Sequence, residues 1–145
     1  MLINKELPTL KKSYPLKHIT WFKVGGNADL FFKADNINDL KNILLNSYDL
    51  PITIIGAGSN IVVRDNGIRG IVIKLGKSFS QVCSFSPTQI VVGASCLNYN
   101  LAKFAEKNNL TRLEFLAGIP GTVGGGIAMN AGAYGVEYKN VIDYV

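Results

Sequence analysis

The sequence predicts a mixed fold of the α+β class, in which a small parallel α/β region is followed by a region with an antiparallel sheet. Three observations support this class. Residues 28–55 show a strand, a helix and a strand in succession, residues 81–94 show two short strands with partial alternation of apolar and polar residues, and 48% of the 145 residues are hydrophobic. This length and composition fit a globular chain with one domain, or with two small lobes that share an interface.

The parallel region is predicted from three segments. Residues 28–34 (ADLFFKA) are rich in aromatic residues and predict a strand. In residues 35–50, a helix begins behind Asp35 or Asn36 as N-cap and places four apolar residues on one face: Ile37, Leu40, Ile43 and Leu44. Residues 51–55 (PITII) are a short apolar run, which predicts a strand buried on both faces of the sheet.

Further strands are predicted after the loop GAGSN. Residues 61–63 (IVV) and 71–75 (IVIKL) are rich in β-branched residues and are separated by turn chemistry in RDNGIRG. Residues 81–86 (QVCSFS) and 88–94 (TQIVVGA) predict an antiparallel pair joined through Ser86-Pro87.

The last elements are a second helix and a terminal strand. Residues 95–110 predict a helix with Ser95 as cap and an apolar stripe of Leu97, Leu101, Phe104 and Ala105. Residues 140–145 (NVIDYV) resemble the beginning of a strand. We therefore expect the 145 residues to be the front portion of a longer protein.

Charge and cysteine content narrow the possible partners. The net charge is +5, but the lysines are scattered and form no basic helix, so a solvated surface is favoured over a nucleic-acid partner, with a phosphate-bearing ligand as the alternative. Cys83, Cys96 and the single His18 cannot form a metal site. We expect two buried free thiols without a disulfide, and the charged N-terminus lacks a signal peptide, so the cytoplasm is the expected location.

Residues 115–136 form an uncharged stretch of 22 residues with seven glycines. It is long enough to span a bilayer, but its glycine content leaves little apolar surface for lipid, so no membrane insertion is expected. Its large apolar residues also argue against a flexible linker. Pro120 fixes a turn, and Thr122 is expected to cap a short helix whose first N–H groups attract phosphate. Packing of the segment against a sheet explains the glycines equally well at this point.

A second glycine loop favours a ligand. Gly56 and Gly58 directly follow a predicted strand, but Ile61 stands where the dinucleotide fingerprint requires its third glycine, and no helix follows. The loop also lacks the Gly-Lys-Ser/Thr ending of a P-loop. Two separated glycine loops instead fit a dinucleotide held between two lobes by main-chain donors.

Three segments carry a resemblance to a known family. ITWFKVGGNADLFF, IIGAGSNIVVRDNGIRGIVIKL and LEFLAGIPGTVGGGIAMNAGAYG resemble, in this order and spacing, the flavin-binding portion of the UDP-N-acetylenolpyruvoylglucosamine reductases of bacterial cell-wall synthesis. The resemblance runs from about Thr20 to the last residue. It implies a truncated two-lobe FAD-binding domain of the vanillyl-alcohol and p-cresol oxidase type. Residues 1–19 would be an N-terminal extension, 20–75 the small α/β lobe and 76–145 an incomplete second lobe, with the substrate domain absent.

The resemblance also implies the cofactor site. Main-chain groups of the first loop would contact the FAD pyrophosphate: Gly56, Ala57, Gly58, Ser59 and Asn60. Residues of the second stretch would lie along the pyrophosphate and flavin, with Asn130 as a weaker candidate: Gly118, Ile119, Gly121, Thr122, Gly124 and Gly125. Gly25 and Gly26 belong to a family motif, but a role in a turn is at least as well supported.

The family reaction passes a hydride from NADPH to FAD and then to the enolpyruvyl double bond of a UDP-sugar. The serine, glutamate and arginine that act on the substrate come from segments beyond the NAGAYG motif, so we assign no catalytic residue and give none of these roles to Ser59, Glu114 or Arg112. Tyr134 fits either the substrate side or a packing role. Another FAD-dependent oxidase of the same fold and a non-catalytic nucleotide-binding module are the alternatives.

Overall fold

The computed structural model describes residues 10–47 and 49–145. The chain divides into two compact units, the first ending at Ser78 and the second comprising Phe79–Val145.

The first unit is built on a four-stranded mixed sheet. Its strands are β1 (Lys11–Pro15), β2 (Asn27–Ala34), β3 (Ile52–Ile55) and β4 (Ile68–Leu75), in the order β1-β2-β4-β3. β4 is parallel to both neighbours, and β1 is antiparallel to β2. Helix α1 (Ile37–Asn46) connects β2 and β3. The predicted strand, helix and strand of residues 28–55 are therefore confirmed, as is the strand at 71–75.

In the first unit, the burial of side chains depends on where their strand lies in the sheet. The central strand β4 buries Ile71, Val72 and Ile73 completely. Asn36 caps α1 through its side-chain oxygen, which accepts a hydrogen bond from the Asp39 N–H at 3.0 Å. Of the predicted apolar face of α1, only Ile43 is fully buried.

Two strand predictions in this unit are wrong. The 51–55 strand is not buried on both faces, because β3 lies at the sheet edge and leaves Ile54 63% exposed. Residues 61–63 form no strand. The Arg64 carbonyl next to them accepts the Gly67 N–H within a turn and the Gly26 N–H from a distant segment.

A strand, β1, also forms within residues 1–19, for which no strand is predicted. β1 lacks a clear apolar alternation because it is an exposed edge strand. Its anchor is Tyr14, whose ring stacks on Phe31 of β2 with the centroids 4.2 Å apart.

The second unit contains short elements. β5 (Val82–Ser86) and β6 (Gln89–Val92) form the predicted antiparallel pair. Helix α2 (Asn98–Lys107) follows, then the 3-10 helix Glu114–Gly118 and helix α3 (Val123–Ala128). The small hairpin of β7 (Gly132–Ala133) and β8 (Val136–Glu137) leads to a last 3-10 helix, Tyr138–Asn140.

Two predictions for this unit are wrong: the N-cap of α2 and the strand at residues 140–145. Ser95 does not cap α2, since the N-cap is Leu97, without a side-chain hydrogen bond. The Ser95 N–H instead bonds the Phe79 carbonyl at 3.0 Å, and the following turn delays the helix. Residues 141–145 contain no strand.

The uncharged stretch 115–136 is divided among the 3-10 helix, the six residues of α3 and the β7–β8 hairpin. Among residues 10–47 and 49–145, none of the helices has the length and apolar character that crossing a bilayer requires.

The two thiols differ in environment. Cys96 is buried, as predicted, but Cys83 is exposed on β5, so the prediction of burial is wrong for Cys83. Both are free thiols. Burial raises the pKa of the Cys96 thiol, which lowers the fraction of reactive thiolate.

We expect Cys83 to react with a thiol reagent at least about tenfold faster than Cys96 in the folded chain, because the thiolate is the reacting species and must be accessible. Mass spectrometry of peptides after timed alkylation measures both rates. In denaturant the two rates should converge. Equal rates in the native chain would contradict the burial of Cys96.

Candidate functional site

The first glycine loop, residues 56–60, leaves the end of β3 and is packed onto the segment 19–21. The Gly58 carbonyl accepts a hydrogen bond from the Trp21 N–H at 2.9 Å. Gly58 has a φ of +72°, and a Cβ there would collide with the carbonyl oxygen of Ile19. Only glycine combines this conformation with this close approach.

The loop presents main-chain donors. Within the part of the chain that the structure describes, no protein acceptor meets the N–H groups of Gly56, Ala57, Gly58 or Asn60. Ser59 lies in the middle of the loop and is partly buried. Adjacent main-chain donors of this kind form a concavity suited to an anion.

The second glycine segment, residues 118–126, is joined by backbone hydrogen bonds to the chain at the start of helix α2. Thr122 forms an antiparallel bridge with Leu97, flanked by two hydrogen bonds. The Asn98 N–H donates to the Gly121 carbonyl at 3.0 Å, and the Val123 N–H donates to the Cys96 carbonyl at 2.8 Å. Gly121 has a φ of +133°.

Thr122 caps α3 as predicted, since its hydroxyl oxygen accepts the Gly125 N–H at 3.4 Å. The expectation of free N–H groups at the start of α3 is wrong, however. The Val123 N–H is bonded to Cys96, and the Gly124 N–H donates to the Ala94 carbonyl at 2.9 Å. In the described residues, the donors without a protein acceptor lie just before the helix, at Gly121 and Thr122.

The glycines of this segment differ in their surroundings. A Cβ at Gly124 would lie 2.9 Å from the Ala94 Cβ, so this glycine permits close packing. Gly125 is exposed, and a Cβ there would meet only the Thr122 hydroxyl within 4 Å. Gly118 is exposed, and a Cβ there would lie 3.0 Å from the Tyr134 ring. Ile119 is partly buried, and its N–H bonds the Leu116 carbonyl at 3.1 Å.

Asn130 uses its side chain within the second unit. Its amide nitrogen donates to the Glu137 carboxylate at 2.9 Å, and its amide oxygen accepts the Lys139 N–H at 3.0 Å. Its side chain therefore orders the β7–β8 region.

Gly25 and Gly26 have a structural role in the first unit. The Gly26 N–H donates to the Arg64 carbonyl at 3.0 Å, and its own carbonyl accepts the Leu16 N–H at 3.2 Å. A Cβ at Gly25 would lie 2.6 Å from the Val63 Cβ. These contacts join distant parts of the chain, so the two glycines permit close packing against residues 63–65, and the role in a turn stays a prediction.

An open cavity of about 570 Å³ lies in the second unit. Arg112 and Glu114, to which the sequence analysis assigns no catalytic role, line this cavity together with Phe115, Tyr134, Gly135, Val136 and Asn140. The Arg112 guanidinium donates to the Asn140 carbonyl at 3.0 Å. This bond gives Arg112 a structural partner.

The sequence predicts no role for two residues that lie beside the second glycine segment. Asn98 and Tyr138 are buried and hydrogen-bonded to each other, with the Tyr138 hydroxyl 2.6 Å from the Asn98 amide oxygen. Asn98 is a polar residue at a helix start, a pattern that commonly indicates only a cap. No local signal marks either residue.

Comparison with known proteins places the chain among flavoproteins. A family model described as FAD binding domain matches residues 28–145. The UDP-N-acetylenolpyruvoylglucosamine reductase of Rickettsia massiliae is 60% identical over 133 residues, which are 91% of this chain and 45% of the relative. The protein of the same name from Rickettsia akari is 58% identical over 141 residues, 94% of this chain and 48% of the relative.

A solved structure agrees with these relatives. The crystal structure of UDP-N-acetylenolpyruvylglucosamine reductase from Thermus caldophilus matches with a TM-score of 0.71 and 32% identity, over 88% of this chain and 45% of that one. The chain thus spans less than half the length of the relatives that it matches. Since the family model covers most of its residues, the chain belongs to the FAD binding domain family.

Proposed function

We propose that the chain is the FAD-binding portion of an NADPH-dependent reductase that converts UDP-N-acetylenolpyruvoylglucosamine to UDP-N-acetylmuramate for peptidoglycan synthesis in the cytoplasm. The names of the relatives support the reaction, and the family match supports the cofactor. Because the chain spans less than half of those relatives, the activity and the UDP-sugar substrate are proposed for a reductase of the relatives' full length.

The observation that carries the proposal is the set of main-chain N–H groups without a protein acceptor in both glycine segments of the described chain. A pyrophosphate is an anion that several neutral N–H donors can stabilise together in a water-poor cleft. We propose that FAD contacts these residues: Gly56, Ala57, Gly58, Ser59, Asn60, Gly118, Ile119, Gly121, Thr122, Gly124, Gly125 and Asn130. Gly124 and Asn130 also have the structural roles described above, in packing against Ala94 and in hydrogen bonds to Glu137 and Lys139.

We further propose that the two units are the two lobes of the vanillyl-alcohol oxidase type of FAD domain. Bound FAD would supply the chemistry of hydride transfer between NADPH and the substrate. The residues of this chain bind and orient the cofactor, and the groups that act on the substrate would come from the part of the relatives that the chain does not span.

Trp21 offers a direct test of FAD binding. It is the single tryptophan of the sequence, its side chain is 62% exposed, and its backbone is bonded to the first glycine loop. We expect FAD to quench its fluorescence in a saturable way, weakly in the 145-residue chain and tightly when the chain is fused to the remainder of the Rickettsia massiliae reductase. FMN and ADP titrations show which half of FAD is required.

The fusion should be yellow and should oxidise NADPH only when the enolpyruvyl sugar nucleotide is present. A folded fusion that binds no FAD would contradict the proposal. Colour that stays with the denatured polypeptide would favour a covalent oxidase instead, and equal binding of ADP and FAD would favour a nucleotide-binding module.

A further inference from the structure

Asn98 holds the chain on both sides of Pro120. Its side-chain amide nitrogen donates to the Ile119 carbonyl at 3.1 Å, and its main-chain N–H donates to the Gly121 carbonyl at 3.0 Å. Asn98 is only 1% exposed, so both bonds form in a dry environment, where they are strong and hard to replace with water. One residue of α2 therefore fixes two peptide groups of the glycine segment.

The second of these bonds sets the direction of a donor. The carbonyl of Gly121 and the N–H of Thr122 belong to the same trans peptide group and point in opposite directions. Since the carbonyl points to Asn98, the Thr122 N–H points away from α2. That N–H is one of the donors without a protein acceptor in the described chain.

Tyr138 sets the orientation of the Asn98 side chain. Its hydroxyl donates to the Asn98 amide oxygen at 2.6 Å, which leaves the amide nitrogen to face Ile119. Burial, with a smaller contribution from Cys96, raises the pKa of Tyr138 well above its ordinary value, so the hydroxyl keeps its proton. The ring packs edge-on against Phe115, with centroids 6.0 Å apart, and Gly126 makes room for it because a Cβ there would collide with the ring.

We propose that Asn98, oriented by Tyr138, is a positioning residue that fixes the chain on both sides of Pro120 and thereby places the main-chain donors of Gly121 and Thr122 for the FAD pyrophosphate. The inference rests on the proposed function for its ligand. It adds two residues from outside the glycine segments to the cofactor site.

Three variants separate positioning from stability. Asn98→Ala removes the side-chain link to Ile119, and Tyr138→Phe removes only the hydroxyl that orients the amide. Ala105→Gly weakens the same helix at a residue whose carbonyl bonds the N–H groups of Asn108 and Leu110, outside the glycine segment. In the FAD-binding fusion we expect the Kd for FAD to rise about tenfold for Asn98→Ala and about threefold for Tyr138→Phe, and to stay unchanged for Ala105→Gly.

A second readout does not need the cofactor. In 15N-labelled 145-residue chain, Asn98→Ala and Tyr138→Phe should shift the amide resonances of Gly121 and Thr122, whereas Ala105→Gly should leave them in place. If Asn98→Ala does not fold, the Kd for FAD and the amide shifts are both measured on Tyr138→Phe.

The outcomes are distinct. Failure of the unmodified fusion to bind FAD overturns the proposed function, while the amide shifts still test the positioning of the two donors. FAD binding by the unmodified fusion with unchanged affinity in Asn98→Ala and Tyr138→Phe overturns the inference alone. Equal effects of all three variants also overturn it, because they would reflect only the stability of α2.

Discussion

Replacing Gly58 by alanine is expected to lower the free energy of unfolding by about 3 kcal/mol and to abolish the quenching of Trp21 by FAD. The φ of +72° costs an alanine about 1 kcal/mol or more, and the collision of its Cβ with the Ile19 carbonyl adds a cost of about 1–3 kcal/mol. Urea unfolding of the 145-residue chain, followed by circular dichroism, measures the loss.

Gly135 provides the matched control for this variant. It also has a positive φ, at +80°, but a Cβ there would meet nothing within 4 Å. Gly135→Ala should therefore cost only the conformational part, about 1 kcal/mol. If the two substitutions have equal effects, the packing of the first glycine loop onto residues 19–21 does not constrain Gly58.

Replacing Leu116 by alanine is expected to lower the free energy of unfolding of the second unit by about 2–5 kcal/mol. Leu116 is fully buried and belongs to the cluster with Phe115, Val123 and Tyr138. Its carbonyl also accepts the Ile119 N–H at 3.1 Å, at the entrance to the second glycine segment. Hydrogen exchange resolved by residue should show the loss of protection in α2 and α3.

Leu45 is the control for the same chemical change. It lies on α1 and is 78% exposed, so Leu45→Ala should alter stability by no more than about 0.5 kcal/mol. A loss in Leu116→Ala as small as that in Leu45→Ala would contradict the burial of Leu116.

The regular elements were predictable where local pattern decides them. The helix at α1 follows from its apolar spacing and from Asn36, whose side chain can cap only a nearby N–H. The exposure of Ile52 and Ile54 was not predictable, because it depends on the order β1-β2-β4-β3, which leaves β3 at the edge. An apolar run is the same in a central strand and in an edge strand.

In the candidate site, too, the interactions between nearby residues were predictable and those between distant residues were not. The Thr122 cap involves residues three positions apart, so residue type was enough to predict it. The carbonyls of Ala94 and Cys96 that occupy the first donors of α3 come from a different part of the chain, before α2. The buried pair of Asn98 and Tyr138 is separated by 40 positions and likewise depends on tertiary packing.

The open donors of Gly56, Ala57, Gly121 and Thr122 belong to the backbone. Alanine scanning would miss these groups, because every residue type except proline carries the same N–H. An ester bond in place of a single amide, introduced by semisynthesis at Thr122, would delete one donor and keep the side chain. The chemical unit to be varied in this protein is therefore the peptide bond.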